Sequence, residues 1–177
     1  MDKKELRRQI REKKRAMTPQ QIEEASCRLG QLFVNTPQYQ QAKTIYGYLP
    51  YNQEVRTVPM LEQAIRDGKR VAVPKVYGDD MKFIYMDDLT QVTLGYANIP
   101  EPTADGPVAD DKTALVLMPG MAFTKNGDRM GYGGGFYDKF LASEPDHPTV
   151  ALCYDFQMVE SLPTEEYDIP VDCVLWA

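Results

Sequence analysis

Apolar residues in the first third of the chain recur at helical spacing. Leu6, Ile10 and Met17 trace a thin stripe through a charged segment that opens with Asp2 and, three residues later, Glu5, a capping-box-like start. A second stripe of Ile22, Ala25, Leu29, Leu32 and Phe33 follows Thr18, Pro19 and Gln21, which supply an N-cap and a proline at the first helical position. That helix is expected to end near Pro37. The period then changes. Residues 44 to 49 read as a strand stopped by Pro50, Val58, Leu61, Ala64 and Ile65 as a short helix closed by Gly68, and Val71 to Val73 as a strand before Pro74. Strand, helix and strand in about thirty residues form a βαβ unit, with parallel strands and a right-handed connection.

Beyond it, residues 81 to 86 suggest a strand that a Gly-Asp-Asp turn at 78 to 80 could fold back antiparallel. Residues 95 to 112, with Pro100, Pro102 and Pro107, have no period and read as a long surface loop. Ala114 to Met118 is an unbroken apolar run, as in a central strand covered on both faces. A helix from about Phe136 to Ser143 and strands over 150–154 and 172–176 complete the pattern. The expected fold is a single α/β domain over 1–177, a Rossmann-like three-layer α/β/α arrangement around a mostly parallel sheet. Ligands of such sheets sit outside the carboxyl ends of the strands.

Composition narrows the class. With 177 residues the chain can bury a core without disulfides or a structural metal. Cys27, Cys153 and Cys173 are odd in number and lack metal-ligand spacing, so each is expected to be a small core residue in a reduced, cytoplasmic compartment. No apolar run reaches the length of a membrane span, and the basic N-terminus lacks the apolar segment of a signal peptide. Charge is uneven: residues 1 to 15 carry eight Lys or Arg against three acids, the remainder 12 against 23. An acidic body argues against nucleic acid as a partner, whereas a small anion needs only the basic patch.

The chemistry concentrates in RMGYGGGFYD, Arg129 to Asp138. Gly131, Gly133, Gly134 and Gly135 run into the helix that starts at Phe136, and a glycine-rich turn leading to unsatisfied helix N–H groups is a natural anion site. The pattern is neither GxxxxGK[ST] nor GxGxxG, since no Gly-Lys-Ser or Gly-Lys-Thr occurs and Phe136 takes the third glycine position. Asp138, in the first turn, can offset the dipole or hold a metal ion bound to a phosphate. The one histidine, His147, lies in an Asp-His-Pro loop without a neighbouring nucleophile, which disfavours triad chemistry and zinc alike. A phosphate-holding loop, a cationic helix and a few carboxylates are the parts of a Mg-ATP site.

These residues resemble the glycine-rich signature of the 5-formyltetrahydrofolate cyclo-ligase (5,10-methenyltetrahydrofolate synthetase) family. The same pattern takes in KKELR at 3 to 7, Glu54, Met-Pro-Gly-Met-Ala-Phe at 118 to 123, and Asp168 and Asp172, in order along the chain. One departure is Phe136, where a tyrosine is frequent. The resemblance implies Mg²⁺- and ATP-dependent closure of 5-formyltetrahydrofolate to 5,10-methenyltetrahydrofolate, with ADP and phosphate released. It also implies ATP contacts from Lys3, Lys4, Arg7, Arg129, Gly131, Tyr132, Gly133, Gly134, Gly135, Phe136 and Tyr137, and Mg²⁺ ligands in Asp138 and Asp172. Leu49, Glu54 and the run Tyr132 to Phe136 are its folate contacts, and Arg129 is the residue expected to stabilise phosphoryl charge. A monomer is expected, and the basic helix could attract a polyglutamate tail. Two other readings keep the nucleotide site: a small-molecule kinase, and a non-enzymatic nucleotide-binding module.

Overall fold

The computed structural model describes residues 2–103 and 105–177. Helix α1 (Lys3–Arg15) is capped by Asp2, whose carboxylate accepts from the Glu5 N–H at 2.7 Å. Helix α2 (Pro19–Val34) starts in a full capping box between Thr18 and Gln21. It stops three residues earlier than Pro37 suggested, because Thr36 caps a separate short helix, α3 (Pro37–Gln41), with the proline at its first position. Strand β1 (Thr44–Tyr46), helix α4 (Val58–Arg66) and strand β2 (Arg70–Tyr77) form the βαβ unit, and β3 (Asp80–Tyr85) returns antiparallel to β2.

Two expectations are corrected in the middle of the chain. Strand β2 runs through Pro74 instead of stopping there, since β1 ends opposite Ala72 and no partner remains on that side to need the missing N–H. The loop expected from 95 to 112, of which residue 104 lies outside the described residues, overlaps a small hairpin of β4 (Val92–Leu94) and β5 (Pro100–Pro102). Strand β6 (Leu115–Met118) leads into a second hairpin, β7 (Ala122–Phe123) and β8 (Arg129–Met130), then helix α5 (Phe136–Ser143), β9 (Thr149–Cys153) and β10 (Cys173–Trp176).

The main sheet has the order β10-β9-β6-β1-β2-β3, parallel except for β3. Its strands alternate between two cores. Ile45, Val71, Leu115, Leu117 and Val150 pack with Leu29, Phe33 and Leu61 of α2 and α4, whereas Tyr46, Ala72, Val116, Met118 and Ala151 pack with Leu141 of α5. The expected three-layer α/β/α fold is therefore present. The outer face of α2 differs in detail, with Leu32 47% exposed and Cys27 on the surface instead of in the core. Among the described residues no helix is long and apolar enough to cross a membrane.

The chain leaves β1 toward β2 on one side and later leaves β6 toward β9 on the other, so the connections after these two adjacent strands diverge. A crevice opens at that point in doubly wound sheets. Its two walls are the segment after β1, which holds Glu54, and the segment after β6, which holds the glycine stretch.

Candidate active site

Helix α1 is brought to this crevice by its thin apolar stripe. Leu6 and Ile10 pack against Met121, Ala122 and Met130 of the β7–β8 hairpin, which immediately precedes the glycine stretch. The basic run then divides. Arg8 faces outward in ion pairs with Glu5 and Glu12, a solvated face. Arg7 turns inward, donating from Nε and Nη2 to the Gly131 carbonyl, each at 3.5 Å. Lys3 is half-buried at the same face's amino end, and the neighbouring Lys4 is exposed; neither has an ion pair or hydrogen-bond partner among the described residues.

The approach to the loop is held from below. Gln157, 2% exposed, donates from Nε2 to the carbonyls of Gly120 and Met121 at 3.0 and 3.2 Å. Arg129 donates from Nη1 to the Pro119 carbonyl at 3.0 Å and pairs from Nη2 with Asp138 Oδ2 at 3.1 Å, leaving its buried Nε without a partner. Asp138 Oδ1 is loosely engaged, 3.5 Å from the Ile169 N–H. Between these clasped ends the chain bows outward, and Tyr132, Gly133, Gly134 and Gly135 are all exposed.

Two of the glycines are demanded by the backbone, with φ at 108° for Gly133 and 70° for Gly135. A Cβ at either would meet no protein atom within 4 Å, so space lies open there. Gly135 caps α5 without a side-chain bond, and the first intrahelical bond runs from the Lys139 N–H to its carbonyl. The N–H groups of Phe136, Tyr137 and Asp138 therefore have no acceptor among the described residues, which is the donor set that a phosphate fits. The Phe136 ring packs edge-on to Tyr96 at 5.3 Å, a contact that needs no hydroxyl.

Across the crevice, Glu54 Oε1 accepts from the Tyr51 N–H at 2.8 Å and Oε2 from the Tyr132 hydroxyl at 3.0 Å. Burial raises its carboxyl above the ordinary range, against the pull of Lys14. Leu49, 5% exposed, lies in the core at the start of the same segment and anchors it there. Lys14 itself was not picked out by sequence, although its spacing from Arg7 and Ile10 put it on the inner face; it is 7% exposed, with Nζ 3.4 Å from Tyr132 Oη. Tyr154, also missed, donates to the Gln53 carbonyl at 2.6 Å and braces the Glu54 segment.

The full chain, residues 1–177, matches the 5-formyltetrahydrofolate cyclo-ligase family. The chain belongs to that family. A 5-formyltetrahydrofolate cyclo-ligase of Escherichia coli (strain K12) is 33% identical over 175 residues, spanning 94% of this chain and 95% of the relative. Among solved structures, a 5,10-methenyltetrahydrofolate synthetase of Aquifex aeolicus superposes with a TM-score of 0.85 at 27% identity, covering 99% of this chain and 90% of that one. One from Mycoplasma pneumoniae gives 0.78 at 26%, covering 98% of each. The glycine stretch and Glu54, which first carried the resemblance, are thus the two walls of one crevice in a cyclo-ligase-family fold.

The two proposed metal ligands stand apart. Asp138 is tied to Arg129, while Asp172 accepts from the Thr149 N–H and returns its own N–H to Thr149 Oγ1, both at 2.9 Å, at the amino end of β9. Among the described residues no group of three or more His, Cys, Asp or Glu could hold a metal ion.

Proposed function

We propose that the chain closes 5-formyltetrahydrofolate to 5,10-methenyltetrahydrofolate, using ATP and Mg²⁺ and releasing ADP and phosphate. The observation that carries this reading is the convergence, in a chain of this family, of an open phosphate-type cradle and an acceptor carboxylate, joined by the Tyr132–Glu54 bond at 3.0 Å. The free N–H groups at the start of α5 receive the nucleotide phosphates, with Lys3, Lys4 and Arg7 supplying charge from α1. Asp138 would hold the Mg²⁺, which would neutralise phosphate charge, whereas Asp172, bonded to Thr149 at the amino end of β9, lies away from the cradle.

On the other wall, Glu54 accepts from the N–H groups of the pterin, a role open only to an acceptor side chain. Tyr132 and Phe136 offer flat faces to the ring, above the segment that Leu49 anchors. A formamide oxygen is a poor leaving group as hydroxide. It attacks the γ-phosphorus, the β,γ-bridging bond breaks and ADP departs. The side-arm nitrogen of the folate then bonds to the activated formyl carbon, losing its proton, and the carbon–oxygen bond breaks to release phosphate. Arg129, clasped behind the loop, contributes positive charge to the phosphoryl group in transit.

The test is to mix protein, 5-formyltetrahydrofolate, MgCl₂ and ATP and follow the conjugated product by absorbance, omitting ATP or metal in controls. Product that requires both supports the reading. A stable phosphorylated acceptor with no cyclised folate would replace it with a kinase.

A further inference from the structure

A lysine is seldom buried without a partner, and Lys14 is 7% exposed. Its position follows from the period of α1: Arg7, Ile10 and Lys14 share one face, and the face that seats Ile10 on the β7–β8 hairpin carries Lys14 beneath the glycine stretch. The ammonium has donors only, so at 3.4 Å from Tyr132 Oη it donates to the phenol oxygen. It also lies 5.6 Å from the centre of the Tyr132 ring. The phenol proton is thereby directed to Glu54 Oε2, 3.0 Å away, and Glu54 in its ionised form can only accept there. The chain Lys14 to Tyr132 to Glu54 runs in one direction, from a cation through a phenol to a carboxylate. It joins three segments that are far apart in sequence.

Resting on the folate reading above, we infer that Lys14 is a positioning residue that holds Glu54 ionised and Tyr132 aligned with it, so that the folate wall of the site depends on the Lys14 charge. Glu54 is faced by Lys14 from α1, by Tyr132 and Tyr137 from the glycine stretch and α5, by Arg56 from its own segment, and by the phenols of Tyr48 and Tyr154. Lys14 is faced in turn by Glu54, Arg11 and Cys153. Burial drives Glu54 toward the neutral acid, and Lys14 is the strongest influence holding it down. A protonated Glu54 would offer a donor to the donors of the pterin. With Lys14 made neutral, Glu54 takes up its proton at a higher pH and folate binding is lost from that pH downward. A lysine that merely anchored α1 would change stability without moving that limb.

The experiment compares wild type, Lys14→Met, Lys14→Arg and Lys13→Met, the last removing an exposed charge from the same helix. Equilibrium binding of 5-formyltetrahydrofolate without ATP is measured by calorimetry from about pH 5 to about pH 8.5, the range above the ordinary glutamate value. Binding of a non-hydrolysable ATP analogue is measured in parallel. Lys14→Met is expected to weaken folate binding at pH 7 about tenfold, the scale of one lost charge-assisted contact, and to move its acidic limb upward. The analogue should bind within about twofold of wild type, Lys14→Arg should restore most of the folate affinity, and Lys13→Met should match wild type. Should Lys14→Met not fold, Tyr132→Phe breaks the same chain at a residue 47% exposed and should move the limb in the same direction. An unmoved acidic limb, or equal losses for folate and analogue, overturns the inference and leaves the folate reading standing. A wild type that binds the analogue but no folate overturns both.

Discussion

Arg129 and Asp138, the first and last residues of the glycine stretch, are clasped by an ion pair at 3.1 Å. The clasp closes the loop at its base while Tyr132 to Gly135 stay exposed. Since the Arg129 side chain is 5% exposed, its charge is both structural and catalytic in this account. Arg129→Ala should lose about 3 kcal/mol of stability by leaving Asp138 and the Pro119 carbonyl without their partner. It should also lower turnover by about a thousandfold. Urea denaturation and phosphate release check the two effects separately, and near-normal turnover would remove Arg129 from the catalytic account.

The left-handed backbone at Gly135 predicts a different split. Gly135→Ala places a Cβ in open space, so its stability penalty is that of the φ of 70° alone, about 1–2 kcal/mol. The same Cβ intrudes where a phosphate is proposed to sit. ATP-analogue affinity should fall about tenfold or more, the scale of one lost charge-assisted hydrogen bond. Calorimetry on a protein shown to be folded would decide, and unchanged affinity would move the nucleotide away from this loop.

His147 should affect folding and not chemistry. Its ring nitrogens contact the Ala114 carbonyl at 2.7 Å and Glu144 Oε1 at 2.9 Å, and it stacks on Phe140 at 5.3 Å beside Tyr46. These contacts lie at the amino end of β6, away from the crevice. His147→Ala is expected to cost about 2–3 kcal/mol from lost hydrogen bonds and packing, with kcat of the remaining folded protein unchanged.

The capping box of α2 offers a control for local helix energetics. Thr18→Ala removes the hydroxyl that accepts from the Gln21 N–H at 3.1 Å and should lower stability by about 1 kcal/mol, with kinetics unaffected.

Much of this was legible in the chain. The boundaries of α4 and the start of α2 follow from caps and period, and the parallel sheet from the strand–helix–strand spacing. The rest depended on context. Pro37 and Pro74 both read as stops, yet the first opens α3 and the second sits where β2 has lost its neighbour on one side. The two-residue strands β7 and β8 are too short to show a period. Lys14 was hidden because a lysine within a basic run reads as a solvated charge, and only the docking of Ile10 shows that its face is turned inward. Glu54 and the glycine stretch were readable individually; the bond between Tyr132 and Glu54, which spans 78 residues, required the fold.

The central claim is that the formyl oxygen receives the γ-phosphoryl group. Its most direct test is turnover of 5-formyltetrahydrofolate labelled with ¹⁸O in the formyl group, with the released phosphate analysed by mass spectrometry. The account predicts one labelled oxygen in each phosphate, formed in step with the methenyl product. Methenyl product accompanied by unlabelled phosphate would contradict it.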